Sequence, residues 1–133
     1  MDKSYAWFAI YNFDCKPDEI SEKLGIKSTE TWLKGDNKPF GKGKIRIREN
    51  IWKLKSTVDV KEPIEKQLQE LINILRPVKD IVKSFSKKYY TEFGCAIYLN
   101  DYNSGVHLDK VIITEITDLG AELDFDIYSL VNK

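Results

Sequence analysis

The stretch YAWFAIYNF, Tyr5 to Phe13, decides the fold. Both sets of its alternate positions are largely apolar, which is typical of a strand that lies inside a sheet and is covered on both faces. Asp14 ends this run. We therefore expect a central strand near the start of the chain, around which the other elements assemble.

A short helix is predicted directly after this strand, from Pro17 to Leu24. Proline is favoured at the first helical position because its missing N–H is not needed there. Ile20 and Leu24 lie four residues apart and therefore share one face of the helix. Gly25 then provides the stop, since glycine readily adopts the left-handed conformation that ends helices.

The next part of the sequence is harder to divide. Ile26 to Gly43 is polar and contains glycines, and we predict a long loop of the kind that is often functional or mobile. Lys44 to Val58 is predicted to be an interrupted strand. Its apolar positions change parity near Glu49 and Asn50, which either a β-bulge or a two-residue hairpin would produce. We favour the bulge, because Glu-Asn is a poor turn sequence.

Two helices, or one sharply kinked helix, are predicted to follow. Glu62 and Pro63 are typical of a helix start. Arg76-Pro77 interrupts the pattern, since proline disfavours a helical residue before it. Apolar residues recur at helical spacing on both sides of this break: Ile64, Leu68, Leu71, Ile72 and Leu75 before it, and Val78, Ile81, Val82 and Phe85 after it.

The last third of the chain is predicted to hold a strand, a turn, a helix and a strand. Tyr89 to Leu99 alternates as a strand does, and Asn100 to Gly105 has turn chemistry. Leu108 to Leu119 contains β-branched residues that favour a strand. Its apolar residues nevertheless fit one helical face, and Gly120 fits a stop, so we prefer a helix. Ala121 to Leu130 alternates apolar with acidic residues and is the final predicted strand.

This order of elements predicts a single α+β domain over residues 1–133. We expect an antiparallel or mixed β-sheet with helices packed mainly on one face. The chain has 133 residues, of which 42% are hydrophobic, and this is enough for one core without metals or disulfides. Cys15 and Cys95 form no CxxC pair and are expected to be small buried hydrophobic residues.

The composition also bears on location. No apolar run approaches the roughly 20 residues of a membrane-spanning helix. Trp7 to Ile10 is too short for the core of a signal peptide. We therefore expect a cytoplasmic protein with no membrane association, and no motif in the sequence calls for a cofactor.

Charge is segregated along the chain although the net charge is zero. Lys27 to Thr57 contains nine basic and three acidic residues, whereas Thr91 to Lys133 contains two basic and eight acidic residues. A neutral chain has no global attraction to nucleic acid or to anionic membranes. Two outcomes remain open: a bipolar molecule, or two regions that neutralise each other in the fold.

Three stretches in order resemble a known family. They are LGIKSTETWLKGD from Leu24 to Asp36, WKLKS from Trp52 to Ser56, and LGAELDFDIY from Leu119 to Tyr128. With their spacing, they resemble the bacterial domain-of-unknown-function family 4279 (DUF4279) over nearly the whole chain. Ser28 departs from the proline that is frequent in the family. The resemblance implies a small α/β domain that often stands alone in bacteria, and it implies no reaction. The positions that it singles out are Gly35, Asp36, Trp52, Ser56, Asp126 and Tyr128.

The predicted 26–43 loop holds one candidate site. Trp32 is a candidate anchor for recognition, because tryptophan is enriched at binding hot spots. In the structural interpretation, Trp32 fastens the loop to the core and Gly35-Asp36 makes a turn.

The final strand holds a second candidate site. Glu122, Asp124 and Asp126 share one face of the strand, with Tyr128 in the same row. Such carboxylates hold a divalent cation or share a proton in some proteins. No histidine or second carboxylate cluster completes such a site, which favours a solvated face or partners for the basic stretch.

The basic stretch is a third candidate. Its cations, interleaved with Phe40 and Trp52, resemble a platform for single-stranded nucleic acid, but the net charge of zero and the lack of a known nucleic-acid-binding motif argue against this function. His107 has no nucleophile motif around it, so a catalytic triad has little support. The basic residues concerned are Lys42, Lys44, Arg46, Arg48, Lys53 and Lys55.

The hypothesis we favour at this point is a non-enzymatic bacterial protein-binding domain whose partner is another protein. Electrostatic complementarity would then provide specificity and a fast association. An immunity-type protein that neutralises a cognate toxin is one concrete version, with the acidic stretch from Glu115 to Asp126 over a basic nuclease site. Two alternatives are a small-molecule or nucleotide-binding domain with a pocket under the 27–43 loop, and a single-stranded nucleic-acid binder that uses residues 42–55. A cleft lined by Trp32, Trp52 and Tyr128 would favour the pocket.

Overall fold

A computed structural model describes residues 2–100 and 105–130 of the chain. The described residues form seven strands and four α-helices. In chain order these are β1 (Lys3–Tyr11), α1 (Pro17–Leu24), β2 (Glu30–Trp32), β3 (Asn37–Phe40), β4 (Gly43–Arg46), β5 (Ile51–Lys55), α2 (Ile64–Leu75), α3 (Lys79–Lys88), β6 (Tyr90–Leu99), α4 (Lys110–Asp118) and β7 (Glu122–Ser129).

Five of the strands form one mixed sheet in the order β2-β5-β1-β6-β7, and β3 pairs with β4 in a separate hairpin. β1 lies in the centre and is antiparallel to both β5 and β6. β7 is parallel to β6, because helix α4 carries the chain back between them. The predicted α+β class with a mixed sheet is therefore confirmed.

One face of this sheet carries the hydrophobic core. Phe8 and Ile10 of β1 point into it and are fully buried. All four α-helices pack their apolar residues against this same face, as predicted. Removing each such side chain from water contributes roughly 1.5–3 kcal/mol, so this face holds most of the hydrophobic stabilisation. The helical members of the core include Ile20, Leu24, Leu68, Leu71, Ile72, Leu75, Val82, Phe85, Ile112 and Ile116.

The other face of β1 is not covered by helices, so the expectation of a strand covered on both sides is wrong. Three of the side chains on that face, those of Tyr5, Trp7 and Tyr11, are large and aromatic, and Ala9 between them is fully buried. The Trp7 ring lies over Gly94 of β6, where an added Cβ would come within 2.2 Å of it. Aromatic rings that cover their neighbours make an open face look like a second buried face in the sequence.

The predicted helices are confirmed, with small changes at their ends. α1 ends at Gly25, which has the left-handed φ of 66°. A 3-10 turn at Arg76–Val78 separates α2 from α3, as the proline predicted. α4 starts later than predicted, because the Asp109 side chain accepts the backbone N–H of Ile112 at 2.9 Å and caps the helix.

The predicted loop at 26–43 and the predicted bulged strand at 44–58 are both wrong. β2 and β3 lie within the first segment, and the second divides into β4 and β5, which belong to different sheets. Asn50 holds the connection between them: its side chain donates to the Phe13 carbonyl and accepts from the Lys34 N–H, both at 2.8 Å. The change of parity therefore marks a change of sheet and is neither a bulge nor a two-residue hairpin.

The predicted turn at 100–105 lies mostly outside the described residues. Among the helices of the described residues, none is long and apolar enough to cross a membrane.

Candidate functional site on the open face of the sheet

The face of the five-stranded sheet that points away from the helices is called here the open face. Strand register fixes which side chains share it. In one row across all five strands, Glu30 pairs with Lys53, Lys53 with Ala9, Ala9 with Glu92, and Glu92 with Glu122. Every α-helix in the described part of the chain packs on the opposite side. The open face is therefore available to a partner.

Tyrosine rings form a continuous row across three strands of the open face. Tyr5 of β1 meets Tyr98 of β6 edge to face, with ring centroids 5.9 Å apart. Tyr98 in turn stacks on Tyr128 of β7 at 4.9 Å. Tyr5 and Tyr128 remain 41% and 47% exposed. Exposed, preorganised tyrosines provide large contact areas at low entropic cost.

A row of carboxylates runs beside these tyrosines on β7. Asp124, Asp126 and Tyr128 all lie on the open face, where they pair with Gly94, Ala96 and Tyr98 of β6. Asp124 and Asp126 are exposed, as is Glu122 in the same row. The predicted shared face is confirmed. We call Glu122, Asp124, Asp126, Tyr98 and Tyr128 the acid–tyrosine patch.

The acidic row of this patch is not neutralised by the basic stretch. Within residues 2–100 and 105–130, the ion pairs are Lys55–Glu30, Lys66–Glu62 and Arg76–Glu115. The strand order explains the separation, since β7 lies at one edge of the sheet and the basic strands lie at the other. The molecule is bipolar. No group of histidine, cysteine and carboxylate side chains in the described residues is arranged to hold a metal ion.

Glu92 lies in the middle of the sheet and binds tyrosine hydroxyls. The Tyr11 hydroxyl donates to Glu92 Oε2 at 2.9 Å. Burial, and then the hydrogen bond to Glu92, raise the pKa of Tyr11 well above its ordinary value, and the Trp7 indole opposes this shift weakly. The pKa of Tyr90 is raised for the same two leading reasons. Both phenols therefore stay protonated at neutral pH and act as donors.

The opposite side of the open face is built from lysines and indoles. The Lys53 ammonium lies 4.9 Å from the centre of the Trp7 ring and 5.8 Å from that of Trp32. Burial lowers the pKa of Lys53. Lys55 forms an ion pair with Glu30 at 2.6 Å, and the Trp32 indole N–H also donates to Glu30. Burial raises the pKa of Glu30, but the hydrogen bond and the charge of Lys55, followed by the hydrogen bond from Trp32, outweigh burial and lower this pKa.

Four of the positions that the family resemblance singled out have structural roles. Trp52 is fully buried in the core, and its indole N–H donates to Ser21 Oγ at 3.0 Å. The Ser56 hydroxyl donates to Glu70 at 2.9 Å, in the turn that follows β5. Gly35 has a φ of 96°, and its N–H donates to the Ile47 carbonyl at 2.8 Å.

Asp36 completes the same turn. Its N–H donates to the Leu33 carbonyl at 3.0 Å, and its carbonyl accepts the Ile47 N–H at 2.7 Å. Gly35 and Asp36 thus join β2 to the β3–β4 hairpin, which agrees with the structural interpretation of this pair.

The cleft expected between Trp32, Trp52 and Tyr128 is not formed. Trp32 is on edge strand β2, Tyr128 is on the opposite edge strand β7, and Trp52 points to the other face. Sequence reasoning missed Trp7. It placed Lys53 in the basic stretch, without the contacts that Lys53 makes with the Trp7 and Trp32 rings. The signal was present: three of the five odd positions of β1, Tyr5, Trp7 and Tyr11, are aromatic, and Gly94 on the adjacent strand leaves room for one of them.

A groove of about 680 Å³ does lie beside Trp32, between the sheet edge and the β3–β4 hairpin. Only Trp32, Lys34 and Gly35 of its lining belong to the 27–43 segment, and the rest comes from residues 44–51. The basic strand expected at 42–55 is divided: its first part belongs to this hairpin, whereas Lys53 and Lys55 are on β5.

These features define the class: an α+β domain with a mixed sheet, helices on one side, and a charged aromatic face on the other. The family model for a domain of unknown function, DUF4279, matches residues 2–130. The chain belongs to this family, and the resemblance seen in the sequence is confirmed. The comparisons with curated proteins and with solved structures gave no match.

Proposed function

We propose that this protein is a non-enzymatic binding domain that docks another protein on the acid–tyrosine patch. One observation supports this above all. Exposed carboxylates without ion pairs in the described residues lie beside the half-buried Tyr98 and the exposed Tyr128, which stack on each other. No described helix covers this face. Such a surface fits a partner that carries lysine and arginine side chains.

The chemistry of the patch suits this kind of partner. Carboxylates two residues apart on a strand are spaced by roughly 6.6 Å and repel one another weakly in water. A basic partner replaces this repulsion with attraction and is steered toward the patch at a high rate. The tyrosines provide the buried area, because a planar guanidinium stacks on a ring while it pairs with a neighbouring carboxylate.

Cys95 supports the non-enzymatic part of the proposal. It lies on β6 and is fully buried in the core. Burial, and then the charge of Asp124, raise the pKa of the Cys95 thiol to about 12. The thiol therefore stays protonated at neutral pH and is a poor nucleophile.

An immunity-type protein is the concrete version that we favour. A nuclease toxin binds nucleic acid through a basic surface. The acid–tyrosine patch has the charge and the aromatic anchors to cover such a surface. Its partner would then be a secreted or delivered nuclease of a competing or related bacterium.

Affinity capture of the tagged protein from the lysate of its own bacterium, read by mass spectrometry at low and high salt, tests the proposal. The informative variant is Asp124→Lys with Asp126→Lys. The matched control is Glu22→Lys with Asp118→Lys, which makes the same change of charge at exposed positions of α1 and α4. We expect a stoichiometric, salt-sensitive basic partner with the unmodified chain and with the control.

The patch variant decides the outcome. Loss of that partner from Asp124→Lys with Asp126→Lys, with an unchanged circular dichroism spectrum, supports docking on the patch. Retention of the partner places the interface elsewhere and contradicts the proposal. A blank with the unmodified chain also contradicts it.

A further inference from the structure

A groove between β2 and the β3–β4 hairpin is separate from the acid–tyrosine patch. Its volume of about 680 Å³ falls within the range of small-molecule sites. Four cationic side chains line it, together with a single carboxylate, that of Glu49. The cations are Lys34, Lys44, Arg46 and Arg48.

None of these four cations takes part in an ion pair within the described residues. Glu49, the only carboxylate of the lining, accepts a hydrogen bond from the Asn12 side chain at 3.3 Å. The groove thus carries a surplus of positive charge without a neutralising partner. Arg46 and Arg48 lie two residues apart and present planar guanidinium groups, which bind phosphate through paired hydrogen bonds.

The groove also has an apolar part. Trp32 and Ile51 are half-buried in its lining, and Ile45 is 42% exposed. The orientation of Trp32 is set by its hydrogen bond to Glu30 and by Lys53 over its ring. An indole that is held in this way is ready to stack against a planar ligand.

The β3–β4 hairpin forms one wall of the groove, and a bound ligand would stabilise it. All four residues of β4 are exposed, as are three of the four in β3. An isolated two-stranded hairpin is only marginally stable in water. The backbone hydrogen bonds of Ile47 with Gly35 and Asp36 tie its base to the rest of the chain.

We infer that this groove binds a nucleotide, with the base against Trp32 and the phosphates on Arg46 and Arg48. The ligand class follows from the combination of an aromatic platform, an apolar wall and a surplus of guanidinium groups in a space of this size. The nucleotide is either free or one unit of a single-stranded nucleic acid, since both present the same base and phosphate. This site lies at the opposite edge of the sheet from the acid–tyrosine patch and is independent of it.

Titration calorimetry of the full chain tests this inference, with AMP, ADP, inorganic pyrophosphate and a short oligothymidylate as probes. The first variant is Arg46→Glu with Arg48→Glu. Its matched control is Lys79→Glu with Lys110→Glu, at the first positions of α3 and α4, where the helix dipole favours a carboxylate. A second variant, Trp32→Ala, removes the platform.

We expect AMP or ADP to saturate the unmodified chain and the control. The arginine variant should bind roughly tenfold or more weakly, because each charge-assisted hydrogen bond to phosphate is lost. Trp32→Ala should weaken nucleotide binding more than pyrophosphate binding. Saturation by the oligothymidylate alone, with the same dependence on Arg46 and Arg48, identifies a nucleic-acid strand as the source of the nucleotide.

Three results would overturn the inference. They are no saturation by any nucleotide probe, pyrophosphate binding as tight as that of ADP, and unchanged binding in the arginine variant. Arg46→Ala alone serves where circular dichroism shows that the double variant is misfolded. The Asp124→Lys with Asp126→Lys variant should bind nucleotides as the unmodified chain does, so failure of this site and failure of the protein-docking proposal are distinguishable.

Discussion

Replacing Gly94 with alanine should destabilise the protein through one neighbour, Trp7. A Cβ at position 94 would meet three atoms of the Trp7 indole at 2.2 to 2.4 Å. Carbon atoms in contact prefer about 3.5–4.0 Å, so the ring must move by more than about 1 Å. Moving it also disturbs the contact with Lys53, at 4.9 Å. Overpacking of this kind costs about 1–3 kcal/mol.

The same substitution should be harmless where Trp7 has first been removed. The φ of Gly94 is not in the left-handed region, so alanine is tolerated there by the backbone. A compatible glycine-to-alanine change stabilises by about 0.4–1 kcal/mol through the unfolded chain. Gly94→Ala in a Trp7→Ala background should therefore be neutral or slightly stabilising. The coupling free energy between the two positions should be about 1–4 kcal/mol.

Urea unfolding of the four proteins of this cycle, followed by far-ultraviolet circular dichroism, measures the coupling. Circular dichroism is preferable to fluorescence because two of the four proteins lack one tryptophan. Equal effects of Gly94→Ala in both backgrounds would refute the reasoning. So would a stabilising effect in the presence of Trp7, since the ring would then not be held over the glycine.

Three further outcomes are expected. Gln67→Leu should lower the free energy of unfolding by about 2–5 kcal/mol. The buried Gln67 amide accepts the Ala6 N–H at 2.8 Å and donates to the Ser4 carbonyl at 2.7 Å, and both backbone groups of β1 would be left unpaired. Gln69→Leu is the control, and equal urea midpoints for the two variants would contradict the expectation. Burial raises the pKa of Glu70, but hydrogen bonds from the turn after β5 outweigh it and lower the pKa below 4.5. The stabilisation that ionised Glu70 provides is therefore complete above pH 4.5 and is lost as the pH falls through the folded-state pKa. In Glu70→Gln, the free energy of unfolding should therefore fall less on acidification than it does in the unmodified protein. An unchanged pH dependence would argue against this role. In the native protein, Cys95 should not react with a colorimetric thiol reagent, whereas the half-buried Cys15 should react. Reaction of both thiols before the protein unfolds would show that the reagent reaches the core and would contradict this expectation.

Part of the candidate site was predictable because it depends on strand parity alone. The shared face of Asp124, Asp126 and Tyr128 follows from their spacing within one strand. The open side of β1 was not predictable in the same way. Parity shows that Trp7 and Phe8 point in opposite directions, but it does not show which direction the helices cover. Trp52 was assigned to a binding site for this reason. The sequence shows which residues of its strand share a face with Trp52, but it does not show that this face is buried against the helices.

Local signals in the sequence determined the helices, the position of the central strand and the acidic face of β7. These features rest on interactions within a few residues, such as the proline at the start of α1, the glycine after it, and the alternation of β7. The tertiary structure alone decided that residues 44–58 divide between two sheets. It also decided that β2 and β7 lie at opposite edges, which separates Trp32 from Tyr128 and leaves the molecule bipolar. Strand pairing between distant segments depends on which faces pack best in three dimensions, and no short stretch of sequence carries that information.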